Sequence, residues 1–269
     1  GKKVFFKGLE IVAEEKINDY LRDKIYSKNA NIPYGRDSCF HLLKTTVVGI
    51  PRRRVMDFLR EQKTLGEQRP AFAKPKVKSG PKLKKLTLET DLVFVKRDDV
   101  IKAQPRLEKK LEKTLTYILC TVEKSSGLCK LDYVTTKEAN IVTPLVKEHV
   151  KWFAKKFNKN PASFALRSDK GREFSIPELK KLVPDTANVS SGVSVERKNR
   201  QLQANFFRIL RNRQASGVRE AVRKSELMCN ETMNKNHNRT PNQLVESKDI
   251  DKTIKKYNST RVVTDHAPV

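Results

Sequence analysis

The chain has 269 residues and sets 57 Lys and Arg against 31 Asp and Glu, a formal net charge of +26 with a pI near 10.0. Self-repulsion at that excess disfavours a compact state unless a polyanion neutralises it, so nucleic acid or an anionic membrane surface is the expected partner. No apolar run approaches the roughly 18 residues of a membrane span, and no apolar signal segment follows the N-terminal lysines, so no membrane is expected and nucleic acid is left.

A hydrophobic content of 37% predicts a folded protein carrying basic segments. Cys39, Cys120, Cys129 and Cys229 stand far apart in sequence, as do His41, His149, His237 and His266, so spacing predicts no zinc site. Cys120 and Cys129 lie in strand-like runs and are expected to be buried apolar residues. A chain that begins at Gly1 suits a fragment or a product whose leader was removed.

Residues 4–26 read as one helix, with Phe5, Leu9, Ile11, Val12, Ile17, Leu21 and Ile25 as its apolar positions. Residues 36–44 and 52–62 read as two more helices, joined by a tight turn containing Gly49, with Pro51 in the first turn of the second. In the second, Val55, Phe58 and Leu59 face inward while Arg52, Arg53, Arg54 and Arg60 face out. That is the pattern of a helix-turn-helix whose second helix enters a major groove, with a plain helical hairpin as the alternative. Residues 63–85 are too rich in lysine and proline for a core element. Lys74, Lys76, Lys78, Lys82, Lys84 and Lys85 suit an arm along a phosphate backbone, or equally a soluble spacer.

From Leu86 the pattern becomes α/β. Strands are predicted over 86–95, 115–122 and 128–134, with a charged helical stretch at 98–113 and a turn at Ser125-Ser126-Gly127. An amphipathic helix follows at 136–157, with Ile141, Leu145, Val150, Phe153 and Phe157 near one face. A fourth strand, 163–167, runs into Asp169. Then come a short helix at 176–183, a long basic helix at 191–213 burying Val195, Leu202, Phe206 and Ile209, and a further helix at 217–234. The implied organisation is a helical domain at 1–62, a linker at 63–85, an α/β core at 86–245 and a charged tail at 246–269.

Two segments concentrate the chemistry: Ser168-Asp169-Lys170-Gly171-Arg172-Glu173-Phe174 and Gly192-Val193-Ser194-Val195-Glu196-Arg197-Lys198-Asn199-Arg200. The first reads as a strand ending on a carboxylate, the second as a basic helix with a glutamate near its start. Carboxylate oxygens hold a hard divalent cation and the surrounding cations hold a polyanion, which is what metal-assisted chemistry at a phosphodiester needs. Taken singly, each is also an ordinary strand end or helix glutamate.

Three strands, a helix, a fourth strand and further helices resemble the ribonuclease H-like fold of retroviral-type integrases and many transposases. Above all, the chain resembles integrases of the Maverick/Polinton self-synthesising DNA transposons, over about residues 20–245. The likeness rests on Leu88-Glu89-Thr90-Asp91-Leu92-Val93, the 119–131 hairpin, the two acidic segments, the helix-turn-helix and the 236–241 stretch ending in Pro241. It implies a DDE-type polynucleotidyl transferase that performs DNA strand transfer, in which Asp91, Asp169 and Glu196 bind two Mg²⁺ or Mn²⁺ ions. Asp98 or Asp99 competes with Asp91 for the first role. Lys170, Arg172, Arg197, Lys198 and Arg200 would meet DNA phosphates, and a nuclear homo-oligomer is implied.

The interval from Asp169 to Glu196 is shorter than these integrases show, so the strand and loop before the glutamate helix are expected to be missing. That shortening, with the high charge, admits an alternative. The chain would then be a domesticated, inactive integrase-like protein that binds RNA or DNA in a large ribonucleoprotein, for example an organellar (mitochondrial) ribosome.

Overall fold

A computed structural model describes residues 4–26, 36–61, 83, 85–111, 116–189, 193–234, 238–247 and 250–259. Lys74, Lys76, Lys78, Lys82, Lys84, Asn236 and His237 lie outside the described residues.

The N-terminal segment departs from the single helix expected over 4–26. Strands β1 (Val4–Phe6) and β2 (Leu9–Ile11) form a hairpin, and only 17–26 are α-helical, as α1 (Ile17–Tyr26). The cause is local. Lys7 and Gly8 both take positive φ, 49° and 79°, which is the backbone a two-residue hairpin turn requires and which glycine adopts without strain. The apolar residues that suggested helical spacing are thus divided between two paired strands and a short helix. Helices α2 (Arg36–Lys44) and α3 (Arg52–Glu61) follow, with a short strand, β3 (Val47–Val48), between them that pairs parallel to β2. As expected, α3 buries Val55, Phe58 and Leu59.

The second sheet has five strands: β4 (Thr87–Val95), β5 (Thr116–Glu123), β6 (Cys129–Val134), β7 (Ala165–Ser168) and β8 (Asp185–Asn188). Their order is β6-β5-β4-β7-β8, antiparallel through the β4–β5–β6 meander and parallel from β4 to β7 to β8. The fold is therefore mixed α/β, as expected. Helix α4 (Arg97–Ala103) and a 3-10 turn at Pro105–Lys110 occupy the charged stretch between β4 and β5.

Helices cover both faces of this sheet. On one, α5 (Ala139–Phe157) packs Val142, Val146, Val150, Phe153 and Phe157 against Leu88, Leu119 and Leu166. The buried face of α5 is turned relative to the expected one, and Ile141 is exposed. On the other face, α7 (Val193–Arg211) and α8 (Val218–Glu231) bury Val195, Leu202, Phe206, Ile209, Val222 and Met228 against Val93, Cys120 and Leu131. The same apolar cluster continues into Leu21, Ile25, Val55 and Leu59 of the N-terminal helices, where Gln214 also donates to the Ile25 carbonyl.

Strand β8 is the element that sequence reading took to be missing. It forms because the short helix α6 (Ile176–Lys180) returns the chain to the sheet edge. There Arg167 and Lys85 hold Asp185 at 2.8 and 2.6 Å, and Thr186 is buried. The C-terminal stretch taken for a charged tail also carries structure. Thr240 caps α9 (Pro241–Glu246) through a reciprocal pair with Gln243. Beyond it, α10 (Ile250–Ser259) brings Asn258 to bond both the N–H and the carbonyl of Leu83.

Candidate functional site

Strands β4 and β7 run parallel in a register that pairs Thr90 with Ser168. Asp91 and Asp169 are the next residue on each, so the two carboxylates leave the sheet side by side where the pairing ends. Side chains alternate along β4: Leu88 and Thr90 face α5, whereas Glu89, Asp91 and Val93 face α7. Glu196 stands in the first turn of α7, on that same face.

Asp91 feels the other two carboxylates. Burial raises Asp91 above the ordinary carboxylate range, and the Asp169 and Glu196 charges push it further the same way. The Leu92 N–H and the Asn199 Nδ2 each donate to it at 2.8 Å, offsetting part of that rise. Asp98 and Asp99 instead sit exposed in the first turn of α4, past the end of β4. Of the candidates for the first acidic position, Asp91 is the one beside Asp169 and Glu196.

Asp169 is exposed and shapes its own turn, accepting the Gly171 N–H at 3.0 Å, while Phe174 buries and pins the far end of the segment. A Cβ on Gly171 would stand 2.5 Å from the Glu173 carboxylate, so the glycine lets Glu173 fold back over the loop. Glu196 is exposed as well. Among the described residues, no group of three or more His, Cys, Asp or Glu side chains is placed so that it could hold a metal ion.

The residue types are nonetheless those that a hard divalent cation takes. The three carboxylates come from three elements, those of Asp169 and Glu196 on exposed side chains. Beside Asp91, Asn199 Oδ1 is buried without a hydrogen-bond partner, an acceptor left open at the site. Asn199 was missed in sequence, although its position three residues after Glu196 puts both on one helix face.

The expected cation contacts divide. Lys170, Arg172, Arg197 and Arg200 are exposed, each within four residues of Asp169 or Glu196 in the chain. Arg52, Arg53 and Arg54 are exposed in the first turn of α3, where Arg53 reaches Asp57 at 3.8 Å. Two others are turned elsewhere. Lys85 pairs with Asp185 at 2.6 Å across the edge of the sheet. Lys198 is half-buried, its Nζ 4.0 Å from where a Cβ on Gly127 would stand. There it works against the upward push of burial on the Cys120 thiol. Helical geometry accounts for this: Lys198 lies two positions from Glu196, about 200° around the helix, and so faces the β5–β6 turn.

All four cysteines are buried and free. No helix among the described residues is long and apolar enough to cross a membrane. No known family profile matches this chain, and no curated protein matches it at a significant level.

Proposed function

We propose that this protein is an integrase-like polynucleotidyl transferase of ribonuclease H-like fold that performs metal-dependent DNA strand transfer. The observation that carries this reading is that Asp91 and Asp169 each follow the paired residues Thr90 and Ser168 on adjacent parallel strands, with Glu196 in the first turn of the helix whose Asn199 bonds Asp91. Sheet order and strand directions, a three-strand meander followed by two parallel strands, support the fold assignment.

Asp91, Asp169 and Glu196 would hold Mg²⁺ or Mn²⁺, which when bound activates the attacking oxygen and stabilises the leaving one in an in-line displacement. The chain's own residues do the rest. Asn199 fixes the orientation of the Asp91 carboxylate. Lys170, Arg172, Arg197 and Arg200 supply the positive rim that brings a phosphodiester backbone against three carboxylates which would otherwise repel it. Arg52, Arg53 and Arg54 form a second basic surface, on a helix of the N-terminal unit, that extends the contact along the nucleic acid. An enzyme acting within a nucleoprotein complex needs both.

The test is strand transfer by the full chain on short DNA duplexes with Mg²⁺ or Mn²⁺. Asp169→Asn should reduce the rate on the order of 10³-fold while leaving DNA affinity within a few-fold. Tight nucleic-acid binding with no transfer in either metal, and no change on Asp169→Asn, would favour an inactive binding protein in a ribonucleoprotein.

A further inference from the structure

Glu89 stands two residues before Asp91 on the same face of β4, is 3% exposed, and has no place in the chemistry above. A carboxylate that deep costs stability unless it is paired and hydrogen-bonded. Its Oε1 lies 2.5 Å from Lys124 Nζ, and its Oε2 accepts the backbone N–H of Val195 at 3.1 Å. Val195 is the residue before Glu196, in the first turn of α7, where backbone N–H groups have no helical partner and the helix dipole favours negative charge.

Together with the Asp91–Asn199 bond, this makes two rungs between one strand and one helix. Side chains two apart on a strand are separated by about 6.6 Å, and residues four apart on a helix rise about 6 Å. Glu89 to Asp91 and Val195 to Asn199 are those intervals, so α7 can lie along β4 with both rungs closed. Glu196 falls between them. Slippage of α7 by one residue would break both bonds and rotate Glu196 by about 100° away from Asp91.

We infer that Glu89 is a positioning residue of the strand-transfer site: with Lys124 as its counter-ion, it anchors the first turn of α7 and sets Glu196 opposite Asp91 and Asp169. Its oxygens already hold Lys124 and the Val195 N–H, which separates its role from that of Asp91, Asp169 and Glu196. The inference rests on the reading of the site under Proposed function, and it predicts that Glu89 acts on metal use rather than on DNA affinity.

The experiment compares wild type, Glu89→Gln and Glu89→Ala as full chains, at a temperature where circular dichroism shows each to be folded. Glu89→Ala should lower the strand-transfer rate by roughly 10- to 100-fold and raise the half-saturating Mn²⁺ concentration about tenfold, with DNA affinity changed less than threefold. Glu89→Gln keeps one acceptor for Val195 and should recover part of both effects. Amide hydrogen exchange over residues 195–199 gives a readout independent of activity, and Glu89→Ala should speed it tenfold or more.

A folded Glu89→Ala with wild-type rate, Mn²⁺ midpoint and exchange overturns the inference and leaves the proposed function standing. A wild type without transfer activity overturns the proposed function. In that case the exchange measurement still decides the anchor, since unchanged exchange at 195–199 refutes it.

Discussion

Asp91→Asn is expected to make the protein more stable and to abolish the proposed strand transfer. Burial, then the Asp169 charge, holds Asp91 above the ordinary carboxylate range, so the folded protein binds a proton there more tightly than the unfolded chain does. With that sign, the contribution of Asp91 to stability falls as pH rises from the ordinary carboxylate value through the raised folded one, and it stays low above it.

The asparagine removes this penalty and costs little in hydrogen bonding. It still accepts from the Leu92 N–H, and a flip of Asn199 presents the unpartnered Oδ1 to its new amide. Thermal unfolding without divalent metal should show no gain at acidic pH and a gain of roughly 2–4 °C for the variant near pH 8. Transfer should fall on the order of 10³-fold or more. A variant less stable than wild type at pH 8 would mean that Asp91 is held by its bonds more than it is opposed by its neighbours.

Glu123→Ala should produce the largest loss of stability of any substitution outside the apolar core. Glu123 ends β5, is fully buried, and gathers the turn to β6 around its carboxylate. It accepts the N–H groups of Ser125 and Ser126 at 3.0 and 2.8 Å and both of their hydroxyls. The turn continues through Gly127 at φ 74° into Leu128. Alanine would orphan two buried N–H groups and leave a void in a turn that Asn234 and Lys198 pack against. The expected cost in urea unfolding is about 3–5 kcal/mol, with Glu123→Gln losing about half as much. A loss under about 1 kcal/mol for alanine would show that the turn reorganises around water.

What was legible in the sequence follows from how local each signal is. A near-continuous apolar run announced β5, β-branched and apolar residues interleaved with polar ones announced β4 and β6, and the helices carrying Val55 or Phe206 announced their inward faces by spacing alone. Asp169 was visible because a turn containing glycine follows a strand, and Glu196 because it opens a basic helix. Strand β8 was not visible: Asp-Thr-Ala-Asn has no apolar alternation, and it is held by Arg167 of the neighbouring strand and by Lys85, a hundred positions away. The Lys7-Gly8 turn was legible in principle, but the apolar residues on either side of it also satisfy a helical period. Glu89 and Asn199 escaped because each acts through a partner over a hundred positions away, which no spacing rule in a single sequence reports.

The central claim is that the carboxylates of Asp91, Asp169 and Glu196 form one divalent-cation site. Anomalous diffraction from crystals of the full chain soaked in Mn²⁺ tests it most directly. The claim predicts a peak contacted by oxygens of Asp91 and Asp169, with Glu196 on the same ion or a second one about 4 Å away, and its loss in Asp169→Asn. Crystals that bind Mn²⁺ elsewhere and leave these three carboxylates bare would contradict it.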